Sequence, residues 1–314
     1  MQAVILSEFG GPDRLRLTQA DDPAPGPGQV RISVRAAGVN PVDAGNRADG
    51  SWAGLTAPCV LGYDIAGVVD SLGPGVSGLA PGDRVMAMTH FPDGEGGYAE
   101  LAVVAAALVA PIADGTSFTD AGATPLAAGT AAIVLDRLAL RPGSTVLVLG
   151  GSGGVGLFLL QLAARRGIAA IGVGRQAMHG QMRALGAAGC ADYAAGDVAG
   201  QAVKVAGGPV DAIAALVGGP HVTAALGALR PGGQIASIAT PDLDLDPLLD
   251  ANITFHGILI GDDGRRTRDL AGLLAAGELH PVVSHALPLS EAARAHRIQE
   301  AGHAGGKIVL AVPG

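Results

Sequence analysis

The segment TVLVLGGSGGVGLFLLQLAARRG, residues 145–167, decides the fold of this chain. It begins as a short, wholly apolar run, turns through closely spaced glycines and continues as an apolar stretch of helical length. Gly151, Gly153 and Gly156 give the spacing G-x-G-x-x-G between a strand pattern and a helix pattern. In that context the motif is typical of a dinucleotide-binding turn.

The three glycines have separate physical roles. The first permits the tight turn, the second lets the backbone approach a pyrophosphate, and the third lets the helix pack on the strand. The N–H groups around Ser152, Gly154 and Val155, at the helix start, would face the anion. A glycine turn that serves packing alone is the alternative. A Walker A loop is excluded because the chain has no Gly-Lys-Ser/Thr here.

The end of the next predicted strand bears on the choice of dinucleotide. NAD-binding units carry Asp or Glu there, about 20 residues after the first glycine. This chain reads GVGR over residues 172–175, which puts a positive charge at that place. We therefore expect Arg175, with Gly174 beside it, to favour NADPH. A solvated surface arginine is the alternative.

The chain changes character at about residue 120. After it, helical stretches alternate with short apolar strands at residues 145–149, 168–173, 211–217 and 234–238. Strands that are apolar on both faces are typical of a parallel sheet covered by helices. This half is predicted to be α/β.

The first 115 residues are predicted to form short strands broken by Gly and Pro. In residues 29–36, Val30, Ile32, Val34 and Ala36 alternate with Arg31, Ser33 and Arg35. This period of two predicts a half-exposed antiparallel strand. Further strands are predicted at residues 65–72, 84–88 and 98–104, and the tail from about residue 282 is again strand-like.

Composition and charge restrict the class of protein. The chain has 314 residues, 49% of them hydrophobic, which is enough for one large or two ordinary domains. A net charge of -8 leaves no basic patch for nucleic acid. The N-terminus lacks a signal-peptide pattern, and the longest apolar run has about half of the ~20 residues that a spanning helix needs. We expect a soluble cytoplasmic protein that acts on a small molecule, with no membrane partner.

Further segments, in order along nearly the whole chain, resemble those of a known family. They are AAGVNPVDAGNRADG, LGYDIAGVV, PGDRV, GGYAEL, GTAA, GGSGGVG, LGA, LRPGG, LSEAARAH and GGKIVL. The chain is similar to the zinc-independent, quinone-oxidoreductase-like branch of the medium-chain dehydrogenases/reductases. The resemblance implies an α/β fold class, with a Rossmann dinucleotide-binding domain (121–264) plus a chaperonin-10-like β-barrel catalytic domain (1–120, completed by 265–314). It also implies an active site in the cleft between them, and a homodimer joined through an edge strand at 253–261.

Zinc separates the branches of this family. Zinc-containing members have a Cys near Asn40, a Gly-His-Glu where this chain reads GYD over residues 62–64, and a four-Cys loop. This chain has two cysteines, Cys59 and Cys190, and its eight histidines show no ligand-like spacing. We therefore expect no metal. Without a Lewis acid beside a developing alkoxide, quinones and α,β-unsaturated carbonyl compounds are the expected acceptors.

The resemblance also implies residues at the substrate end of the site. Asn40, Asp43 and Trp52 should line the nicotinamide and the substrate, and Asp43 is expected to order its loop rather than to transfer protons. Tyr63 stands where a zinc ligand would be, and either donates a hydrogen bond to the acceptor oxygen or serves packing. Asn40 and Tyr63 are the catalytic candidates. His90 is a further substrate candidate, with an ordinary exposed histidine as the alternative.

Cofactor residues beyond the glycine turn follow from the same resemblance. Thr130 matches a threonine beside the cofactor, and Tyr193 matches a position near the 2′-phosphate. Residues after the predicted strands should border the nicotinamide half where a Rossmann crevice opens, or are plain strand ends: Val217, Gly218, Ser237, Ile238 and Ala239.

These features predict an NADPH-dependent, zinc-free oxidoreductase that transfers hydride to quinones or α,β-unsaturated carbonyl compounds. An enoyl-thioester reductase of the same fold is one alternative, although the front domain has no Lys/Arg cluster for a phosphorylated carrier. A non-catalytic NADPH-binding redox sensor is the other, because the sequence contains no unmistakable acid or base.

Overall fold

The strands predicted around the glycine turn pair with one another in the structure, a computed structural model that describes residues 1–92, 96–302 and 304–313. Within these residues the strands are β1 (Gln2–Leu6), β2 (Leu15–Gln19), β3 (Gln29–Val39), β4 (Cys59–Val60), β5 (Asp64–Leu72), β6 (Arg84–Met88), β7 (Leu101–Ala105), β8 (Val109–Pro111), β9 (Thr145–Leu149), β10 (Ala169–Val173), β11 (Gly189–Ala191), β12 (Val210–Ala215), β13 (Leu229–Ser237), β14 (Thr254–Gly257), β15 (Val283–Pro288) and β16 (Lys307–Ala311). The α-helices are α1 (Pro41–Ala48), α2 (Phe118–Gly122), α3 (Pro125–Leu138), α4 (Gly154–Arg165), α5 (His179–Ala184), α6 (Val198–Ala206), α7 (His221–Ala225), α8 (Asp246–Asp250), α9 (Gly264–Ala275) and α10 (Ala292–Glu300).

Contacts divide the chain into two compact units. The first contains Met1–Gly129 and Ile260–Gly314, and the second contains Thr130–Leu259. The domain limits implied by the family resemblance, 1–120 with 265–314 and 121–264, stay a prediction.

The first unit is built from antiparallel strands around an apolar core. One sheet has the order β15-β16-β3-β5-β6-β8, with β7 also on β3, and a smaller sheet has the order β2-β1-β4. On β3, Val30, Ile32 and Val34 are fully buried. Arg31 and Arg35 between them are partly exposed. The predicted half-exposed antiparallel strand is therefore confirmed, because β3 pairs antiparallel with β5, β7 and β16.

The tail differs from its strand-like prediction. A helix, α10, lies between β15 and β16 and packs Ala292 and Ala295 into the barrel core. Its sequence AARAHRIQE is rich in good helix formers, which is the signal that a strand interpretation overlooked. The prediction also started β7 three residues early, because Ala99, two residues before β7, makes only an isolated bridge to Ala3.

The second unit is a parallel sheet with the order β11-β10-β9-β12-β13-β14. Each neighbouring pair is parallel. Residues 146–149 of β9 and 212–215 of β12 are buried, as the apolar pattern predicts. After β9 the chain forms β10 and β11 on one side of that strand, and then β12, β13 and β14 on the other. The topological switch point therefore lies between β9 and β12. The predicted α/β fold class is confirmed.

Helix α4 follows the glycine turn as predicted. Its residues from Gly156 to Ala163 are buried, which agrees with an apolar pattern nearly all round the helix. The helix ends at Arg165, and Gly167 then adopts a φ of 67°, a left-handed conformation that glycine adopts easily. Within the described residues, no helix combines the length and apolarity needed to cross a membrane.

Candidate functional site

The glycines of the turn after β9 are required by close packing at two of the three positions. A Cβ on Gly151 would lie 2.8 Å from the Cα of Gly172 in β10, and a Cβ on Gly156 would lie 2.2 Å from the carbonyl oxygen of Gly150. Gly153 differs, because its Cβ would meet nothing nearer than Gly150 O, at 3.4 Å. A Cβ on the middle glycine would therefore make only an ordinary van der Waals contact, so packing does not require glycine there.

Helix α4 begins at this glycine with an uncapped N-terminus. Gly153 is its N-cap residue and supplies no side-chain hydrogen bond. The first-turn N–H groups of Gly154 and Val155 have no acceptor within the helix, because the first four amides of any helix lack one. Together with the positive end of the helix dipole, these groups suit an anion.

The predicted nicotinamide-side residues follow strands whose carboxyl ends are in register. Leu149 of β9 pairs with Val173 of β10 and with Ala215 of β12, and Ala215 pairs with Ser237 of β13. The residues that continue from these ends therefore share one edge of the sheet, and this group contains Gly151, Ser152, Gly174, Val217, Gly218, Ile238 and Ala239. The edge lies at the switch point, where open α/β sheets bind ligands.

Two contacts order this edge. The Cβ of a residue at position 150 would lie 3.0 Å from Val217 Cγ1, so the loop after β12 touches the glycine turn. The Ser237 hydroxyl donates to the Ala239 carbonyl at 2.6 Å, and the Ile238 N–H donates to the Ala215 carbonyl at 3.1 Å. The loop after β13 is therefore held by its own hydrogen bonds.

Arg175 and Tyr193, predicted separately, are neighbours in the structure. Arg175 Nε donates to the Tyr193 hydroxyl at 2.7 Å, and the guanidinium carbon lies 6.0 Å from the centre of the tyrosine ring. Tyr193 is 43% exposed. The pair follows β10 and β11, two strands on the same side of the glycine turn. It presents a positive charge and a hydroxyl to solvent there.

Thr130 is buried in α3. It lies in the second unit, at its first residue.

Asn40 is buried in the first unit, with both atoms of its side-chain amide engaged. Its Nδ2 donates to Asp64 Oδ2 at 2.9 Å, and its Oδ1 accepts from Lys307 Nζ. Asn40 is the N-cap residue of α1, and the structure keeps its side chain 1% exposed.

Asp43 is fully buried in the first turn of α1. Its Oδ2 accepts from the Asn40 backbone N–H at 2.7 Å, while Oδ1 has no hydrogen-bond partner among the described residues. Its expected role of ordering the loop stays a prediction. Burial raises the pKa of Asp43 to about 7. A carboxyl in this environment is well placed to hold a proton near neutral pH.

Tyr63 is buried, and its hydroxyl is engaged on both sides. It accepts from Asn46 Nδ2 at 2.6 Å and donates to the Pro92 carbonyl. Its ring lies 5.1 Å from that of Phe91, which in turn lies 6.1 Å from the ring of Trp52. Trp52 is 51% exposed and so offers an aromatic surface to solvent.

His90 is exposed and pairs with Asp262 through Nδ1. The second carboxylate oxygen of Asp262 accepts from the Phe91 backbone N–H at 2.9 Å. One carboxylate thus holds two consecutive residues of the loop that also provides the Pro92 carbonyl to Tyr63.

The sequence analysis missed Asp64 and Lys307. Both are buried, and Lys307 Nζ lies 3.4 Å from Asp64 Oδ2. A lysine directly before the apolar run IVLAV was the available signal, because a charge inside a buried strand requires a partner. No group of three or more His, Cys, Asp or Glu side chains able to hold a metal ion is present among residues 1–92, 96–302 and 304–313.

Family models and relatives match both units. An alcohol dehydrogenase GroES-like domain matches residues 26–114, and a zinc-binding dehydrogenase domain matches residues 185–310. Rat quinone oxidoreductase is 32% identical over an alignment of 326 positions that covers 99% of this chain and 98% of that protein. The acryloyl-coenzyme A reductase of Metallosphaera sedula is 27% identical, over 99% of each chain.

Solved structures are also similar to this chain over its whole length. The quinone oxidoreductase of Coxiella burnetii superposes with a TM-score of 0.91 at 30% identity, over 100% of this chain and 99% of that one. A mycobacterial protein complexed with NADPH superposes with a TM-score of 0.88 at 29% identity, over 99% of this chain and 100% of that one. The chain is therefore an oxidoreductase with an NAD(P)-binding fold, and it belongs to the zinc-independent, quinone-oxidoreductase-like branch of the medium-chain dehydrogenase/reductase family.

Proposed function

We propose that this protein oxidises NADPH and reduces quinones or α,β-unsaturated carbonyl compounds. The observation that carries the proposal is the pair Arg175–Tyr193, because it puts a guanidinium and a hydroxyl where a 2′-phosphate would be recognised. The NADPH complex of the mycobacterial structure, and the quinone oxidoreductases of rat and Coxiella, support it.

The residues present fit the dinucleotide. The lack of a side chain at Gly153 would let the pyrophosphate approach the backbone, and the uncapped N-terminus of α4 would supply N–H donors for its oxygens. Val217 and Gly218, with Ser237, Ile238 and Ala239, would border the nicotinamide end. Arg175 would pair with the 2′-phosphate that distinguishes NADPH from NADH.

When bound, NADPH supplies the hydride. The chain's own residues bind and orient the cofactor and the acceptor. Asn40, with its amide held between Asp64 and Lys307, presents a fixed polar group in the first unit. The Tyr63 hydroxyl donates a hydrogen bond to the Pro92 carbonyl, so it holds Pro92, two residues after His90. Trp52 offers a flat face on which a conjugated acceptor can stack.

Conjugated acceptors suit a site that relies on positioning. A quinone or an enone spreads the charge of an incoming hydride over its own π-system, and it takes the completing proton from water or a modest donor. An enoyl thioester is a conjugated acceptor of the same kind. The similarity to an acryloyl-coenzyme A reductase favours it as the second candidate.

We also infer a homodimer joined through β14. Within the described residues β14 is the last strand of its sheet and pairs with β13 alone. Phe255 is 39% and Leu259 68% exposed along and after it. An apolar strand edge of this kind is stabilised by pairing with a second copy.

The function is tested by the loss of NADPH absorbance with a panel of quinones, enones, enoyl thioesters and saturated aldehydes. We expect turnover with at least one conjugated acceptor and faster turnover with NADPH than with NADH. Aldehydes are the matched control, because they accept hydride without conjugation. Tight NADPH binding without turnover on any acceptor would contradict the proposal and favour a non-catalytic sensor.

A further inference from the structure

Asp64 lies at the centre of the buried polar cluster that holds the Asn40 amide. Its side chain is fully buried. Oδ1 accepts from the Leu126 backbone N–H at 2.7 Å, and Oδ2 accepts from Asn40 Nδ2 at 2.9 Å and lies 3.4 Å from Lys307 Nζ. One carboxylate therefore joins β5 to α3, to the start of α1 and to β16.

The charges in this cluster impose one orientation on Asn40. Lys307 is 4% exposed. Its ammonium donates hydrogen bonds to the Val39 carbonyl, at 3.2 Å, and to Asn40 Oδ1. An ammonium only donates and an ionised carboxylate only accepts. A flipped Asn40 amide would face donor to donor at Lys307 and acceptor to acceptor at Asp64. The ion pair therefore selects which end of the amide faces each partner.

Glycine at position 38 leaves the space that the Asp64 side chain occupies. A Cβ on Gly38 of β3 would lie 2.8 Å from Asp64 Cβ and 2.3 Å from the Gly122 carbonyl oxygen. Strand β3 and helix α2 thus pass too close to leave space for another side chain. The carboxylate is held by packing as well as by its hydrogen bonds.

We propose that Asp64, paired with Lys307, is a positioning residue that orients the Asn40 amide and fixes the first turn of α3, the helix in which Thr130 lies. The inference rests on the proposed function, in which Asn40 lines the substrate end. A group held in one orientation needs no reorganisation at the moment of reaction, and small misplacements cost large factors in rate.

The test compares Asp64→Asn/Lys307→Met with Asp64→Asn and with Asp70→Asn. The double variant removes both buried charges together, so it avoids an unpaired charge that would destabilise the fold. Asp70 lies six positions further along the same strand, pairs with Arg31 at the surface and is the matched control. Asp64→Asn alone leaves Lys307 with its two other acceptors, and it provides the same measurements if the double variant does not fold.

In the double variant we expect an unfolding temperature near that of the wild type and an unchanged NADPH dissociation constant. We expect kcat with a conjugated acceptor to fall by about tenfold to a hundredfold. A merely structural role would leave kcat unchanged once folding is restored. A folded double variant with wild-type kcat would overturn the inference, and so would a similar loss in Asp70→Asn.

A second readout does not depend on activity. The wild type has three asparagines, Asn40, Asn46 and Asn252, so selective ¹⁵N-asparagine labelling gives three side-chain amide signals, and each Asp→Asn variant adds a fourth that the wild type lacks. We expect the Asn40 amide to exchange slowly with solvent in the wild type and Asp70→Asn, and faster in the Asp64 variants. If the wild type reduces no acceptor, the proposed function fails and this measurement alone decides the inference. Unchanged exchange would then overturn it.

Discussion

Gly156 lies so close to Gly150 that a Cβ on Gly156 would be 2.2 Å from the Gly150 carbonyl oxygen. Side chains do not tolerate such a contact, so α4 can pack on the turn after β9 only through glycine. Gly153, three residues earlier, has no neighbour nearer than 3.4 Å to its own would-be Cβ. Packing therefore requires glycine at position 156 but not at position 153, where we expect glycine to serve ligand access.

Alanine at these two positions should separate folding from binding. We expect Gly156→Ala to lower the free energy of unfolding by about 1–3 kcal/mol, as overpacking does. Gly153→Ala should fold almost as the wild type and weaken NADPH by about tenfold or more, since its methyl group would occupy the pyrophosphate space. Urea unfolding and cofactor titration measure both. Equal binding by Gly153→Ala and wild type would contradict the assignment.

Arg175→Ala should weaken NADPH selectively. Charge-assisted hydrogen bonds contribute roughly 1.5–3 kcal/mol, and solvent at this exposed place screens them. We therefore expect NADPH to bind about tenfold to a hundredfold more weakly, and NADH nearly unchanged. Dissociation constants of both coenzymes at fixed ionic strength test this. Arg183→Ala, at an exposed position of α5, is the matched control and should change neither constant. Equal losses for both coenzymes would make Arg175 a solvated surface residue.

Tyr63→Phe should affect stability more than chemistry. The substitution leaves Asn46 Nδ2 and the Pro92 carbonyl without their buried partner, which costs about 1–3 kcal/mol in the free energy of unfolding. We expect turnover to fall by about tenfold or less, because a neutral hydrogen bond is worth roughly 0.5–1.5 kcal/mol. Thermal unfolding and steady-state rates measure the two effects. A loss of several orders of magnitude in kcat would identify Tyr63 as an essential acid.

Asp43 should make folding stability depend on pH. Burial raises its pKa to about 7 in the folded state. The folded state then holds a proton that the unfolded chain releases above about pH 4. The contribution of protonated Asp43 to the free energy of unfolding is therefore fully present below about pH 4, falls as the pH rises, and is lost above about pH 7. The stability difference between wild type and Asp43→Asn should shift in that direction by roughly 4 kcal/mol over this interval, measured by urea unfolding at each pH.

His296 acts in the opposite direction. Burial lowers the pKa of His296 to about 4. Between about pH 6.5 and pH 4 the unfolded chain therefore binds a proton at this histidine and the folded protein does not. Folding stability is lost as the pH falls through this interval. The two groups partly cancel in the wild type, and comparison with Asp43→Asn isolates the aspartate. Asp114→Asn, at an exposed position, is the control and should show no such trend. A difference between wild type and Asp43→Asn that does not vary with pH would contradict the prediction.

The β14 edge should form the dimer interface. We expect a dimer at micromolar concentration by light scattering, and a monomer for Leu259→Lys, since a charge cannot be buried unpaired between two apolar edges. Leu17→Lys is the control, because Leu17 is also exposed but lies on β2 in the first unit. A wild type that is monomeric, or a Leu259→Lys variant that stays dimeric, would exclude this edge.

Local patterns were sufficient for much of the fold. The period of two along β3, the apolar runs of β9 and β12 and the glycine spacing before α4 all reappear as predicted, because strand period and turn conformation depend on neighbouring residues. Arg175 could be selected in the same way, from its distance to Gly151. Its hydrogen bond to Tyr193 brings together two residues that were selected from separate segments.

The buried polar cluster of Asn40, Asp64 and Lys307 could not be predicted from local sequence patterns. Asn40 meets Asp64 across 24 positions of the chain and Lys307 across 267. A short-range sequence period does not predict contacts between residues so far apart in the chain. The sequence places a lysine before an apolar strand and an aspartate at the start of another. Burial makes the pair necessary, because a charge removed from water needs a partner of opposite sign. Which partner it receives depends on how β3, β5 and β16 pair, and that pairing exists only once the chain has closed into its sheets.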